Sequence, residues 1–344
     1  MTSSLSKHFM VFAARECKGS SSLYEHLSDK IAADDELLEL AGYVRQGQPV
    51  PNLFFGAVHY LLLKGYGHEL REFYASLVND PRNVAEAFPH FKDFCLTYKL
   101  DIIPLLQNKL VQTNEVRRCS YLYPAFCYMY EKTKRPLALI EIGTSAGLQL
   151  LWDKYSYSYN SDNEVYGNVH SELHIRAEIK GARHPFIYKQ SPPVISRIGL
   201  DLHINDLNAP EDYLWLNALI WPEHSERRIH FAKAAQCAKE QTIQFIEGDG
   251  VKLLPEIALQ IPKESVICVF HTHVANQIPV EGKQELERHI KKLGEEREVL
   301  HLYNNMRDSG LLHLDYYVGG KEYKETLAET EGHARWFQWI GKHK

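Results

Sequence analysis

The feature that most constrains this chain is the stretch Leu137–Trp152, LALIEIGTSAGLQLLW, which follows Pro136. Leu137, Ala138, Leu139, Ile140 and Ile142 form a short apolar run interrupted by one acid, Glu141. Such a run, closed by small residues, predicts a buried strand of a parallel sheet. Gly143, Thr144, Ser145, Ala146 and Gly147 read as a turn, and Leu148, Leu150, Leu151 and Trp152 have the spacing of a helix. Strand, small-residue turn and helix is how a parallel α/β sheet starts a nucleotide site, because amides of residues with little side chain can approach a ligand closely. The same letters, GTSAG, also match the G-x-S-x-G nucleophile elbow, with Ser145 as the nucleophile.

The flanks help to choose between these chemistries. The 344 residues suffice for two domains. Residues 1–130 read as an all-helical N-terminal domain. Ser22 and Glu25 have capping-box spacing, Asp34–Val44 is amphipathic, and NLFFGAVHYLLL behind Pro51 is apolar nearly all round, as a buried helix is. Residues 107–130 put a polar cluster ahead of an aromatic helix that leads into the central strand, with Thr113 or Asn114 as a cap.

Residues 131–344 read as the α/β domain. A β-hairpin or small β insertion is expected at about 154–193, with turns at Ser161–Asn163 and Gly181. Strands are then expected at Val194–Leu202, Thr242–Ile246, Ser265–Phe270 and Val299–Tyr303, separated by helices, with two last strands at Leu311–Val318 and Ala334–Ile340. Short connections in this order imply a mainly parallel sheet with helices on both faces and a ligand at the carboxyl ends of the strands. Those ends carry Glu141 with the Gly143–Gly147 turn, Asp201 with Asp206 close behind, then Gly248, Asp249 and Gly250, then His271 and His273, and Asn304. Taken singly, an acid at a strand end is a wet loop; together the set describes a nucleoside pocket.

This set resembles the class I S-adenosylmethionine-dependent methyltransferases. EIGTSAG is similar to their first motif, E/D-x-G-x-x-x-G, the Asp201 strand to their second, and EGDG (Glu247–Gly250) to their adenine-contacting third. The resemblance covers about residues 137–340 and implies a Rossmann-like, methyltransferase-type fold. It also implies S-adenosylmethionine as cofactor, held by Glu141, Gly143, Thr144, Ser145, Ala146, Gly147, Asp201, Gly248, Asp249 and Gly250. The chain also resembles, over both halves, the bacterial domain of unknown function 2332 family. The matching segments include SSLYEHLSDKIA, PNLFFGAVHYLLL, QTNEVRRC, IGLDLHIND and LWLNALIWPE. This second resemblance implies a fold rather than a reaction, and it places QTNEVRRC at the site, with Gln112, Thr113, Asn114, Glu115 and Arg118 as a wall for substrate.

Two departures from the methyltransferase pattern stand out. Glu141 and Asp201 are 60 residues apart, where a plain βαβ unit puts the acid about 20 on; the insertion accounts for the gap and leaves Asp201 and Asp206 both open as the ribose contact. The fourth strand ends in FHTHVANQ and has no Asn-Pro-Pro-Tyr type motif.

The expected chemistry is methyl transfer to a small-molecule or protein acceptor, in which the protein aligns donor and acceptor and removes a proton where the acceptor requires it. His271 and His273 are the bases available, on one face if the strand runs that far. A zinc ion on those imidazoles would need a distant third ligand such as Glu115, Asp249 or His301, so no metal is expected. The alternatives are a non-catalytic nucleoside-binding or interaction protein, and a serine hydrolase using Ser145 with Asp249 and His271 or Asp315 and His333. Net charge is -5, which argues against a long nucleic acid or an anionic membrane as partner. Six cysteines without a C-x-x-C pair read as reduced thiols in a cytoplasmic protein, and the charged start MTSSLSKHFMVFAARECKG does not read as a signal peptide.

Overall fold

The computed structural model describes residues 2–341. Contacts divide the chain into two compact units. One holds the chain up to Thr113 together with Asn208–Ile229; the other holds Asn114–Leu207 together with the chain from His230 on. The sequence expectation put the division at residue 130 and did not assign the 208–229 segment to the helical part.

The first unit contains helices and, among the described residues, no strand. Its first cap is Ser21, not Ser22: the Ser21 hydroxyl accepts from the Tyr24 amide at 3.1 Å and starts the Ser22–Ile31 helix. Asp34 starts Asp35–Ala41 in the same way, accepting from the Leu37 amide at 3.1 Å. The Val50–Leu63 helix is buried over most of its length. The Pro210–Ala218 helix returns against it so closely that a Cβ on Gly56 would lie 2.9 Å from Leu219. His59 is fully buried between the Ala218 carbonyl at 2.9 Å and the Ser76 hydroxyl at 2.8 Å.

The second unit is mixed α/β around one large, mostly parallel sheet. Its strands are β1 (Leu137–Ile142), β2 (Ser156–Tyr159), β3 (Ser161–Gly167), β4 (His174–Lys180), β5 (Val194–Asp201), β6 (Gln244–Glu247), β7 (Val266–His271), β8 (Val299–Asn304), β9 (Leu311–Val318), β10 (Lys321–Thr330) and β11 (Trp336–Trp339). They lie in the order β3-β2-β4-β11-β10-β9-β8-β7-β1-β5-β6. The five strands β6-β5-β1-β7-β8 are all parallel. The chain moves outward from β1 through β5 to β6, then returns to the other side of β1 with β7 and β8. That reversal is a topological switch point, where the loops of two neighbouring strands part and leave a crevice.

Both faces of β1 are buried, which is why its apolar run is nearly continuous. On one face Ala138, Ile140 and Ile142 join Ile198, Leu200 and Val269 beneath the Gly250–Leu259 and Val280–Glu296 helices. On the other, Phe126 of the Cys119–Thr133 helix stacks on Trp152 at 4.4 Å and meets Phe270 edge-on at 5.3 Å.

Three expectations differ from the structure. The residues after the central turn form a seven-residue 3-10 segment, Leu148–Lys154, rather than an α-helix. The chain has to enter β2 at Ser156, so there is no length for a multi-turn helix, and the Tyr155 hydroxyl ties the segment back to the Leu148 carbonyl at 2.8 Å. The insertion does hold a hairpin, β2 antiparallel to β3, but it extends the main sheet instead of standing apart from it, β4 pairing parallel with β11 and β2 parallel with β4. Its first turn is at Asn160 (φ 61°), and Ser161–Asn163 lie within β3. Finally, β10 is a strand the sequence reading omitted because it is largely charged; the available signal was the Gly319–Gly320 pair, both at positive φ, in the hairpin between β9 and β10.

Candidate functional site

The central turn is held by the protein itself. The Gly143 and Thr144 amides donate to the Leu200 carbonyl at 2.8 and 3.2 Å, and the Gly147 amide donates to Thr144 at 2.8 Å. Ser145, at φ 51°, donates its amide to the Asp201 carboxylate at 2.7 Å. The expected cradle of amides is therefore spent on β5 and, at Gly147, on the turn itself; Ala146 is the turn residue outside this set. The glycines are also required by packing. A Cβ on Gly143 would lie 2.5 Å from Val274, and one on Gly147 would lie 2.8 Å from the Phe245 ring, both at positive φ.

A cleft of about 480 Å³ opens beside this turn, at the ends of β1, β5 and β6. Gly143, Asp201, Gly248, Asp249 and Gly250 line it, and Val274, Ile278, Pro279, Glu281 and Glu285 close it from the other side. Asp201 rather than Asp206 lines the cleft. Its carboxylate also accepts the His203 amide at 3.2 Å, and burial pushes its carboxyl above the ordinary range. Asp249 caps the Gly250–Leu259 helix by accepting the Val251 amide at 3.1 Å, and it pairs with Lys252 at 3.4 Å. The far wall was missed in the sequence reading. Its only trace there is Pro279 and the acidic Glu281 opening a helix just after β7.

A buried polar network covers the other side of the same strand ends. Glu141 accepts from the Thr144 hydroxyl at 2.6 Å, and burial pushes its carboxyl up to about 8. The Ser145 hydroxyl accepts from the side-chain amides of Asn114 and Asn205, each at 3.0 Å. Nothing in the sequence reading pointed to Asn205, whose backbone amide also donates to the Ser145 carbonyl at 3.2 Å. Asn114 thus reaches the turn. Glu115 starts the Val116–Arg118 turn by accepting the Arg117 amide at 3.1 Å and lies 3.4 Å from His333. The Arg118 guanidinium is nearly buried and donates to the Gly332 carbonyl at 3.3 Å. Gln112 and Thr113 belong to the first unit.

His271 and His273 do not share a face. β7 ends at His271, and His273 adopts a left-handed conformation at φ 62°. His271 is fully buried on the face of the Val280–Glu296 helix, its Nε2 3.2 Å from Nε2 of His301. His273 has its amide fixed by Asn304 at 2.7 Å and its Nδ1 3.1 Å from the Asn305 amide. Burial lowers both imidazoles to about 3, with Arg118 and His333 adding to the effect at His273. His271 Nδ1 and His273 Nε2 are buried without a hydrogen-bond partner.

The described partners of the nominated hydrolase groups are other residues. The described partners of the Ser145 hydroxyl are amides, Asp249 caps a helix, His271 meets His301, and Asp315 accepts from the Tyr303 hydroxyl at 3.1 Å. Among the described residues no group of three or more His, Cys, Asp or Glu is arranged to hold a metal ion, and no helix is long and apolar enough to cross a membrane.

Compared with known proteins, residues 6–339 match the family described as "Uncharacterized protein conserved in bacteria (DUF2332)". No curated protein and no solved structure matches the chain.

Proposed function

We propose that this chain, which belongs to the DUF2332 family, binds S-adenosylmethionine in the strand-end cleft and transfers its methyl group to a small-molecule or protein acceptor. The observation that carries the reading is the charge of the cleft. Asp201, Asp249, Glu281 and Glu285 line it, and among the described residues Lys252 is its one basic lining residue, already paired with Asp249. Such walls favour a cationic sulfonium and disfavour the phosphates of dinucleotides, which need amides or bases around them. The five-strand parallel order with its switch point supports the same reading.

In this reading the Asp201 carboxylate, which lines the cleft at the end of β5, takes the ribose hydroxyls. Gly248–Gly250 and the apolar walls of Val274 and Ile278 enclose the base. Bound there, S-adenosylmethionine would supply a methyl group activated by its cationic sulfonium, with the neutral thioether as the leaving group. Of the two histidines, His273 is the candidate base. It adjoins the cleft residue Val274, is neutral at pH 7, and has an unpartnered Nε2. His271 is committed to His301 on the other face.

One observation favours binding without transfer. The turn amides are consumed by β5, so the donor's amino-acid tail finds few of the contacts that would align it. The hydrolase alternative predicts labelling of Ser145 by a fluorophosphonate, and an unlabelled Ser145 removes it.

Calorimetry on the full chain tests the main reading. S-adenosylmethionine is expected to bind and to bind more tightly than NAD or ATP, with Asp201→Asn weakening it on the order of 10- to 100-fold. Absence of heat with S-adenosylmethionine overturns the assignment. Binding without methylated product in cell extract given labelled donor selects the non-catalytic reading. Gly143→Val is unsuited to the test, because the new side chain would strike Val274 whether or not a ligand binds.

A further inference from the structure

The Val280–Glu296 helix lies along the sheet with two different edges. Leu286, Ile290 and Leu293 face the core. Gln284, Glu287, Arg288 and Lys291, at helical spacing, instead face β9 and β10 across a second cleft of about 380 Å³. The helix is brought close at its far end by Gly294, where a Cβ would lie 2.2 Å from the Tyr317 ring. The cleft floor is unusual for a helix–sheet seam. His301 and Asp315 form a cross-strand pair there, buried to 1% and 8% exposure, and Lys324 is paired with Asp315 on the next strand.

The polarity of the floor follows from its hydrogen bonds. His271 Nδ1 is buried without a partner, and a bare acceptor is a smaller penalty there than an orphaned N–H. The His271 proton therefore sits on Nε2 and is donated to His301 Nε2 at 3.2 Å. A neutral His301 must then carry its own proton on Nδ1. His301 lines the cleft, so it offers an N–H beside the Asp315 carboxylate. Asp315 is steadied by the Tyr303 hydroxyl at 3.1 Å and by Arg307 at 3.7 Å, and Arg307 is itself held by Glu287 at 2.8 Å. Above this floor stand Arg288, Lys291 and Lys324.

We propose that this cleft is a second ligand site, taking a small zwitterion of the amino-acid class. Its ammonium group lies on Asp315, and its carboxylate lies between the His301 N–H and the Arg288–Lys291 edge of the helix. A donor and an acceptor side by side on a buried floor, under walls of both signs, match a ligand that carries an amine and a carboxylate. A dianionic phosphate would meet Asp315 and Glu287, and a purely cationic ligand would meet the lysines and arginines.

The test is calorimetry and thermal shift of the full chain with each of the twenty free L-amino acids. At least one is expected to bind, with affinity reduced on the order of tenfold or more by Asp315→Asn and by Lys291→Glu. Lys291 is exposed, so its reversal leaves the fold intact and keeps the test valid if Asp315→Asn is poorly folded. Asp201→Asn, in the other cleft, is expected to leave amino-acid binding unchanged. No binding of any amino acid overturns the proposal, as does binding that both Lys291→Glu and Asp315→Asn leave unchanged.

Discussion

Two clefts of similar size lie in the same α/β unit, and they are built on opposite principles. The strand-end cleft is made where parallel strands stop, so its lining is backbone turns, helix starts and carboxylates, four acids against one lysine. The second cleft lies on the face of the sheet beyond the parallel strands, where β9 and β10 run antiparallel and the helix above turns a charged edge downward. Its lining is side chains of both signs, with four basic residues against three acids. The first is a consequence of topology: any doubly wound sheet leaves a crevice at its switch point. The second is a consequence of individual residues, since apolar side chains at His301 and Asp315 would have closed it as ordinary core.

Both clefts nonetheless depend on a glycine against a bulky neighbour, and that offers the largest effect. Gly143→Ala is expected to destabilise the protein by roughly 3 kcal/mol, from positive φ together with overlap with Val274. Denaturant unfolding should show it, and Val274→Ala should return part of the loss in the double variant. Gly294→Ala should cost less, about 2 kcal/mol, because alanine suits a helix and carries no positive-φ strain, which leaves only the overlap with Tyr317. Equal losses at the two sites would break the contrast between a backbone-built and a side-chain-built cleft.

The next effect is the pH dependence of stability, which has opposite sign at the two places. Glu141 at the end of β1 is raised to about 8, so between about pH 4.5 and 8 the folded state binds more protons than the unfolded chain, and stability falls as pH rises. Glu141→Gln should remove that slope and raise stability at pH 8. His271, under the second cleft, is lowered to about 3, so stability falls instead as pH drops from about 6.5 toward 3. His59 and His273 add the same acid-side loss. Unfolding curves of wild type and Glu141→Gln at pH 5 and 8 check the first sign; an unchanged slope in the variant would show that Glu141 does not govern it. The smallest effect is expected at Lys291→Glu, within about 0.5 kcal/mol in stability and with no change in S-adenosylmethionine binding.

Much of the parallel sheet was legible because strands buried on both faces announce themselves. LALIEI, SVICVF and the run from Val299 each lie within a residue or two of the observed strands. The Asp201 and Asp249 ends were legible for the same reason, as polar residues closing apolar runs. What was not legible depended on partners distant in sequence. β10 is charged along its length and is a strand because β9 and β11 flank it. The post-turn segment has helical spacing, yet β2 begins too soon for an α-helix to form. His271 and His273, two residues apart, were separated by the end of β7, which no local pattern marks.

The opening stretch shows where this boundary runs. The sequence by itself determined that Leu137–Ile142 is a buried parallel strand and that small residues must follow it, because hydrophobic burial and steric size act locally. Only the tertiary structure decided what those small residues are for. Gly143 and Gly147 make room for Val274 and Phe245, and the turn amides bond to Leu200 and Asp201. A glycine's letter records that space is needed, while the atom that fills the space comes from elsewhere in the chain, and long-range packing alone brings it there.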